Sequence, residues 1–123
     1  MAQVAILTAD PMPAAAPVID QGHLKRMTFG DSSLEREVLQ LFDRQAEILI
    51  ARMRASDPAA VAALAHTLKG SASGIGAGNV AHAAEAAELA AERSPAEIGA
   101  ALAGLANAVD ETRALIAELL RAH

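Results

Sequence analysis

Apolar residues recur along most of this chain at intervals of three and four, the spacing that lines one face of an α-helix, and glycine, proline and capping residues interrupt the rhythm at regular distances. A short first segment, about Asp20 to Thr28, offers Leu24 and Met27 to a core and is stopped by Gly30-Asp31. Ser32 and Glu35 then form a capping-box pattern for a long helix running to about Ala55. Its main apolar stripe is Leu34, Val38, Leu41, Phe42, Ile48 and Leu49, with Gln45 inside it. A second strip, Leu39, Ala46, Ile50 and Met53, is rotated by roughly 100°. The helix is thus more apolar than one core contact requires. The short first helix is expected to cover part of the second strip, leaving Leu39 and Ala46 within an apolar patch on which a partner docks.

Ser56-Asp57-Pro58 opens the next helix with a cap residue followed by proline at the first helical position. That helix has Val61, Leu64, Leu68 and Ile75 as its core stripe and frays near Gly74–Gly78. Another follows from about Asn79 to Glu92 with Val80, Ala84, Ala87 and Ala91 inside, and Ser94-Pro95-Ala96-Glu97 is a further capping box. The last helix turns Ile98, Leu102, Leu105, Val109, Ile116 and Leu119 to one side. Four long amphipathic helices with short connections predict an all-α fold: an antiparallel, up-down four-helix bundle with a short additional N-terminal helix.

Composition narrows the functions open to such a bundle. The chain has 123 residues, enough for one domain with one core, here expected over residues 19–123 after a flexible Pro/Ala-rich leader, residues 1–18. Two Phe and no Trp or Tyr fit helices better than sheets. The formal charge of −5 argues against nucleic acid as the main ligand. With no cysteine, disulfides, thiolate metal sites and cysteine catalysis are excluded. The leader lacks the positive start of a signal peptide and no stretch is long enough to span a membrane, so a cytoplasmic protein is expected.

The candidate chemistry lies in residues 65–77, AHTLKGSASGIGA. On a helix whose core stripe includes Leu64 and Leu68, His66 sits about 160° from both and faces outward. Its surface neighbours, Ala62, Ala63, Lys69 and Gly70, with Ala59 and Ser73 beyond, are small except for Lys69. Glycine in mid-helix costs about 0.5–1 kcal/mol relative to alanine, so Gly70 implies a need for open space beside the ring. The midpoint between His66 and Glu88 is residue 77, in the glycine-rich connection. A hairpin about that turn sets the two at one height, where the carboxylate can fix the imidazole tautomer and leave the other nitrogen as an exposed nucleophile. Lys69, one turn along, can neutralise a phosphoryl group on that nitrogen. His23, His82 and His123 show no metal-ligand spacing and read as surface residues, and no metal site is expected.

This stretch resembles the signature of histidine-containing phosphotransfer (HPt) domains, a His-x-Leu-Lys-Gly-Ser pattern followed by a Gly-Ala turn. The likeness extends over about residues 19 to 121, through Ile19-Asp20, the Gly30-Asp31 break, Leu39 to Phe42, and Glu85 with Glu88. It departs from the common pattern at Ala72, often a second serine, and at Gly74, often a larger residue. The resemblance implies a four-helix bundle in which His66 is the phosphoacceptor, Lys69 the phosphoryl stabiliser, Gly70 the clearance and Glu88 the partner of the ring. It implies a phosphocarrier without catalytic activity of its own, exchanging the group with the aspartate of a response-regulator receiver domain, with an upstream hybrid sensor histidine kinase as the source. Ala62, Ala63, Ser73, Leu39 and Ala46 are the expected docking residues. No cofactor of its own is implied; Mg²⁺ is expected in the partner receiver. A free-standing, monomeric shuttle without nucleic-acid or membrane partners follows, the alternative being a non-phosphorylated helical adaptor that binds signalling partners.

Overall fold

The computed structural model describes residues 17–122, so most of the expected leader and His123 lie outside the described residues. The chain forms α1 (Gln21–Met27), α2 (Ser32–Arg54), α3 (Pro58–Ile75), α4 (Gly78–Arg93) and α5 (Ile98–Ala122), with a 3₁₀ turn at Pro95–Glu97 leading into α5. Helices α2 to α5 pack as a ring: each touches the next, and α5 closes on α2. The antiparallel register can be read from two contacts across that closing edge. Arg36 Nη1 donates to Leu120 O at 2.9 Å, and Arg113 Nε donates to Asp43 Oδ1 at 2.7 Å. Seven residues forward along α2 are thus matched by seven backward along α5. This is the predicted up-down bundle, with α1 added across one end.

Helices α1, α2 and α3 each begin at an aspartate whose side chain accepts from their free N–H groups, whereas α4 begins after Ala77 without a side-chain cap. Asp57 caps α3 by accepting from Ala60 N, with Pro58 at the first position, as the sequence indicates. The cap of α2 differs from expectation: it is Asp31, which accepts from Ser33 N and Leu34 N, while Ser32 is already helical. The positive φ of Phe29 and Gly30 turns the chain one residue earlier than the capping box requires. Glu35 is buried and pairs with Lys25 at 3.7 Å. Ser94 likewise makes no side-chain cap. Its carbonyl accepts from Glu97 N in the 3₁₀ turn that precedes α5.

The core settles which strip of α2 faces inward. Leu39, Ala46, Ile50 and Met53 are buried together with Phe42 and Leu49, whereas Leu34 and Val38 are only half-buried and Leu41 and Ile48 are 48 % and 54 % exposed. Leu39 and Ala46 therefore do not belong to a docking surface; with no accessible area they pack inside the bundle. The side of the main stripe formed by Leu41, Gln45 and Ile48 faces solvent, and the polar residue marks it. Met27, expected inside, is also exposed, and Leu24 is the one fully buried residue of α1. In α3 the buried line is Val61, Ala65, Leu68, Ala72 and Ile75, with Leu64 half-buried, and α4 buries Val80, Ala84, Ala87, Ala90 and Ala91. Alanines on both partners let α3 and α4 pack more intimately than any other helix pair. In α5 Leu102, Leu105, Val109 and Ile116 are buried as expected; Ile98 and Leu119 are partly so.

The turn between α3 and α4 is locked by a glycine and by α1. Gly76 lies in the left-handed region, φ 81°, and Ala77 N reaches back to Ala72 O at 2.8 Å, closing the helix end. Asp20 N donates to Gly76 O at 2.9 Å, and His23 Nε2 donates to Gly74 O at 3.1 Å. His23 is thus not a free surface residue but a half-buried strap from α1 onto α3. A Cβ on Gly76 would lie 2.9 Å from Asp20 O, so alanine there meets both an unfavourable φ and a backbone clash. Gly76→Ala is expected to destabilise the fold by about 2 kcal/mol, read as a lowered midpoint at unchanged slope in urea unfolding.

Candidate functional site

The hairpin of α3 and α4 brings together the residues that the sequence singles out. His66 Nδ1 lies 3.1 Å from Glu88 Oε2, and Lys69 Nζ lies 3.2 Å from Glu88 Oε1. The equal-height reasoning about residue 77 is met by this contact. The His66 side chain is 67 % exposed, whereas Lys69 and Glu88 are 31 % and 17 % exposed. The ring therefore stands out from the surface while its partner is set into the seam behind it.

Glu88 is the pivot of this arrangement. Burial pushes its carboxyl up, but the Lys69 ammonium, and after it the His66 ring, outweigh this and hold it below its ordinary value. At neutral pH it is a carboxylate, which can only accept. Nδ1 must then carry the hydrogen of the bond, and in the neutral ring the bare lone pair is on Nε2, at the exposed edge. Oε1 is closed off from solvent and makes no well-directed hydrogen bond, so the ion pair with Lys69 is what compensates it.

The surroundings of the ring are low. Gly70 lies one turn beyond His66, and a Cβ there would meet nothing within 4 Å. Gly99 and Gly104 in α5 are equally open, so openness alone does not single out Gly70; its position beside the ring does. Ala63 and Ser73 are exposed and Ala62 is half-buried, which leaves these three in the surface around the site. Ser73 also edges a cleft of about 430 Å³ with Asp20, His23 and His82. Among the described residues no group of three His, Cys, Asp or Glu side chains is placed to hold a metal ion.

Beside the site runs a groove between α2 and α3. Val38, Leu41 and Gln45 of α2 face Ser71 and Ile75 of α3, and Gln45, Ile48 and Arg52 continue it to Thr67, the neighbour of His66. Thr67, Ser71 and Arg52 carry no signal of their own in the sequence. Leu41 and Ile48 do, but only once the inward strip of α2 is known.

Comparison with known proteins agrees with this fold. The Hpt domain family matches residues 36–122. The structure of histidine-containing phosphotransfer protein B from Pseudomonas aeruginosa superposes with a TM-score of 0.81 at 21 % identity, over 89 % of this chain and 99 % of that one. A rice structure described as a histidine-containing phosphotransfer protein gives 0.75 at 21 % identity, over 85 % of this chain and 80 % of that one. No curated protein matches the chain. Among the described residues no helix is long and apolar enough to cross a membrane.

Proposed function

The chain belongs to the Hpt domain family, and on that premise we propose that it accepts a phosphoryl group on Nε2 of His66 and exchanges it with the aspartate of a response-regulator receiver domain. The observation that carries the reading is the division of the ring. Nδ1 is engaged by Glu88, Nε2 is free, and the side chain is 67 % exposed beside a glycine. In the exchange, the Nε2 lone pair forms a bond to phosphorus as the bond to the aspartyl oxygen breaks, and the carboxylate departs. The chain supplies the nucleophile on a rigid helix and, in Lys69, a cation one turn away that can shift from Glu88 toward the phosphoryl oxygens. Mg²⁺ in the acidic pocket of the receiver would neutralise the remaining charge. The protein is in this reading a phosphocarrier, with a hybrid sensor kinase upstream. Incubation with a receiver carrying labelled phosphate tests it: acid-labile label on this chain is the expected result, and a chain that stays unlabelled refutes it.

Docking is assigned to the groove between α2 and α3. Ile48 and Leu41 give it an apolar rim, Gln45 and Arg52 give it polar ones, and Thr67 leads from it to His66. Because Ile48 is 54 % exposed, Ile48→Glu is expected to leave the melting temperature unchanged. It should weaken receiver binding about tenfold, or about 1.4 kcal/mol, as measured by calorimetric titration. Unchanged affinity would move the docking face elsewhere.

A further inference from the structure

We propose that Glu88 also governs the outgoing step, by keeping a proton on Nδ1 of phosphorylated His66 so that the ring leaves the phosphoryl group as neutral imidazole. The inference rests on the assignment of Nε2 as the phosphorylated nitrogen. Once Nε2 is bonded to phosphorus, Nδ1 is the one ring nitrogen that can still gain or lose a proton. When the P–Nε2 bond breaks, its electron pair returns to Nε2, and the phosphoryl group passes to a carboxylate oxygen of the receiver or to water. If Nδ1 holds its proton, the product is neutral imidazole. If it does not, the departing group is an imidazolate anion, a far poorer leaving group.

Three features of the site make Glu88 the residue that decides between these forms. Its Oε2 is 3.1 Å from Nδ1, on the ring edge away from Nε2, so the incoming group does not displace it. Its side chain is 17 % exposed, set into the seam behind the ring, which limits how far the carboxylate can turn out to water even when Lys69 moves toward the phosphoryl oxygens. Its charge, finally, favours a protonated ring in a way that a neutral acceptor at the same place does not. The other charged groups on the facing elements are Lys69 on α3, Glu85 and Glu92 a turn to either side of Glu88 on α4, and Arg52 of α2 in the cleft with Thr67. Among the described residues Glu88 alone is hydrogen-bonded to the ring.

Glutamine separates the charge from the hydrogen bond. In Glu88→Gln the amide oxygen can still accept from Nδ1, so the ring keeps its orientation and the variant should still be labelled. Both proteins are phosphorylated directly with phosphoramidate, without a receiver, and the half-life of phosphohistidine is followed against pH, with ¹⁵N spectra of the ring as the second readout. The wild type is expected to stay labile to a pH about one unit higher than the variant. Between the two midpoints the variant's phosphohistidine should persist up to about tenfold longer. A merely structural role for Glu88 would change how much label is taken up without moving the pH midpoint. Coincident pH profiles and ring spectra in the two phosphorylated proteins overturn the proposal alone. If phosphoramidate places no label on wild-type His66, the phosphocarrier reading falls first and this one with it.

Discussion

A His66→Gln variant is expected to take up no phosphoryl label from a phosphorylated receiver while unfolding within about 0.5 kcal/mol of the wild type. The two halves of this expectation have separate physical grounds. Loss of labelling follows because no other imidazole of the described residues stands on the surface of small residues around position 66, the neighbouring hydroxyls of Thr67 and Ser73 are far weaker nucleophiles, and an amide has no lone pair able to replace that of Nε2. Retention of stability follows because the side chain is 67 % exposed and its one hydrogen bond runs to Glu88. Glutamine is chosen over leucine for that reason: its amide N–H can donate to the carboxylate, so Glu88 keeps a partner. Circular dichroism and a thermal melt read the second half, and mass spectrometry after incubation with a labelled receiver reads the first. A variant that is still labelled at the wild-type level removes His66 from the centre of the mechanism.

Replacement of Gly70 by leucine is expected to act in opposite directions on fold and function. Space beside the helix is open, with nothing within 4 Å of a Cβ, so a side chain meets no neighbour and the helix gains about 0.5–1 kcal/mol. The same side chain then stands one turn from the ring, on the surface that a receiver must approach to bring its aspartate in line with Nε2. Displacement of that approach by about 1 Å costs about 10²-fold in rate, and leucine projects further than that. Gly70→Ala should share the stabilisation and lose less of the rate. Transfer rates from a phosphorylated receiver, set beside urea unfolding midpoints for the three proteins, check the expectation. Wild-type transfer by Gly70→Leu would show that the glycine serves something other than access.

Most of the fold was legible because the apolar positions of α3, α4 and α5 form single stripes, which leave one choice of inward face. His66 and Glu88 were legible for a related reason: a hairpin of two straight helices fixes which residues share a height. α2 was harder. It carries two apolar strips side by side, and periodicity cannot tell which one a neighbouring helix will cover. The structure turns the boundary between them inward, burying Leu39 and Ala46 and leaving Leu41 and Ile48 outside. Gln45 was the clue in that stripe, since a buried amide without partners costs more than an exposed isoleucine. The cap of α2 was off by one residue because Phe29 adopts φ 56°, a conformation that the local sequence gives no reason to expect outside glycine. The strap from His23 to Gly74 O joins residues 51 apart and could be found only once α1 was seen to cross the end of α3.

The alanines between α3 and α4 have a bearing on how this protein can drift over generations. Ala65, Ala72, Ala84 and Ala87 have no accessible surface, and they act as a spacer that sets how far the two helices stand apart. The 3.1 Å between His66 and Glu88 is measured across that spacer. A single added methyl group at one of these four positions widens the gap, and the ring and the carboxylate part without either having changed. Replacements that a substitution table scores as mild, such as alanine to valine on this seam, therefore fall among the most harmful ones. The solvent-facing residues of α5, by contrast, are free to wander. Selection on the chemistry of one exposed histidine is in this way written into buried positions that never meet the partner.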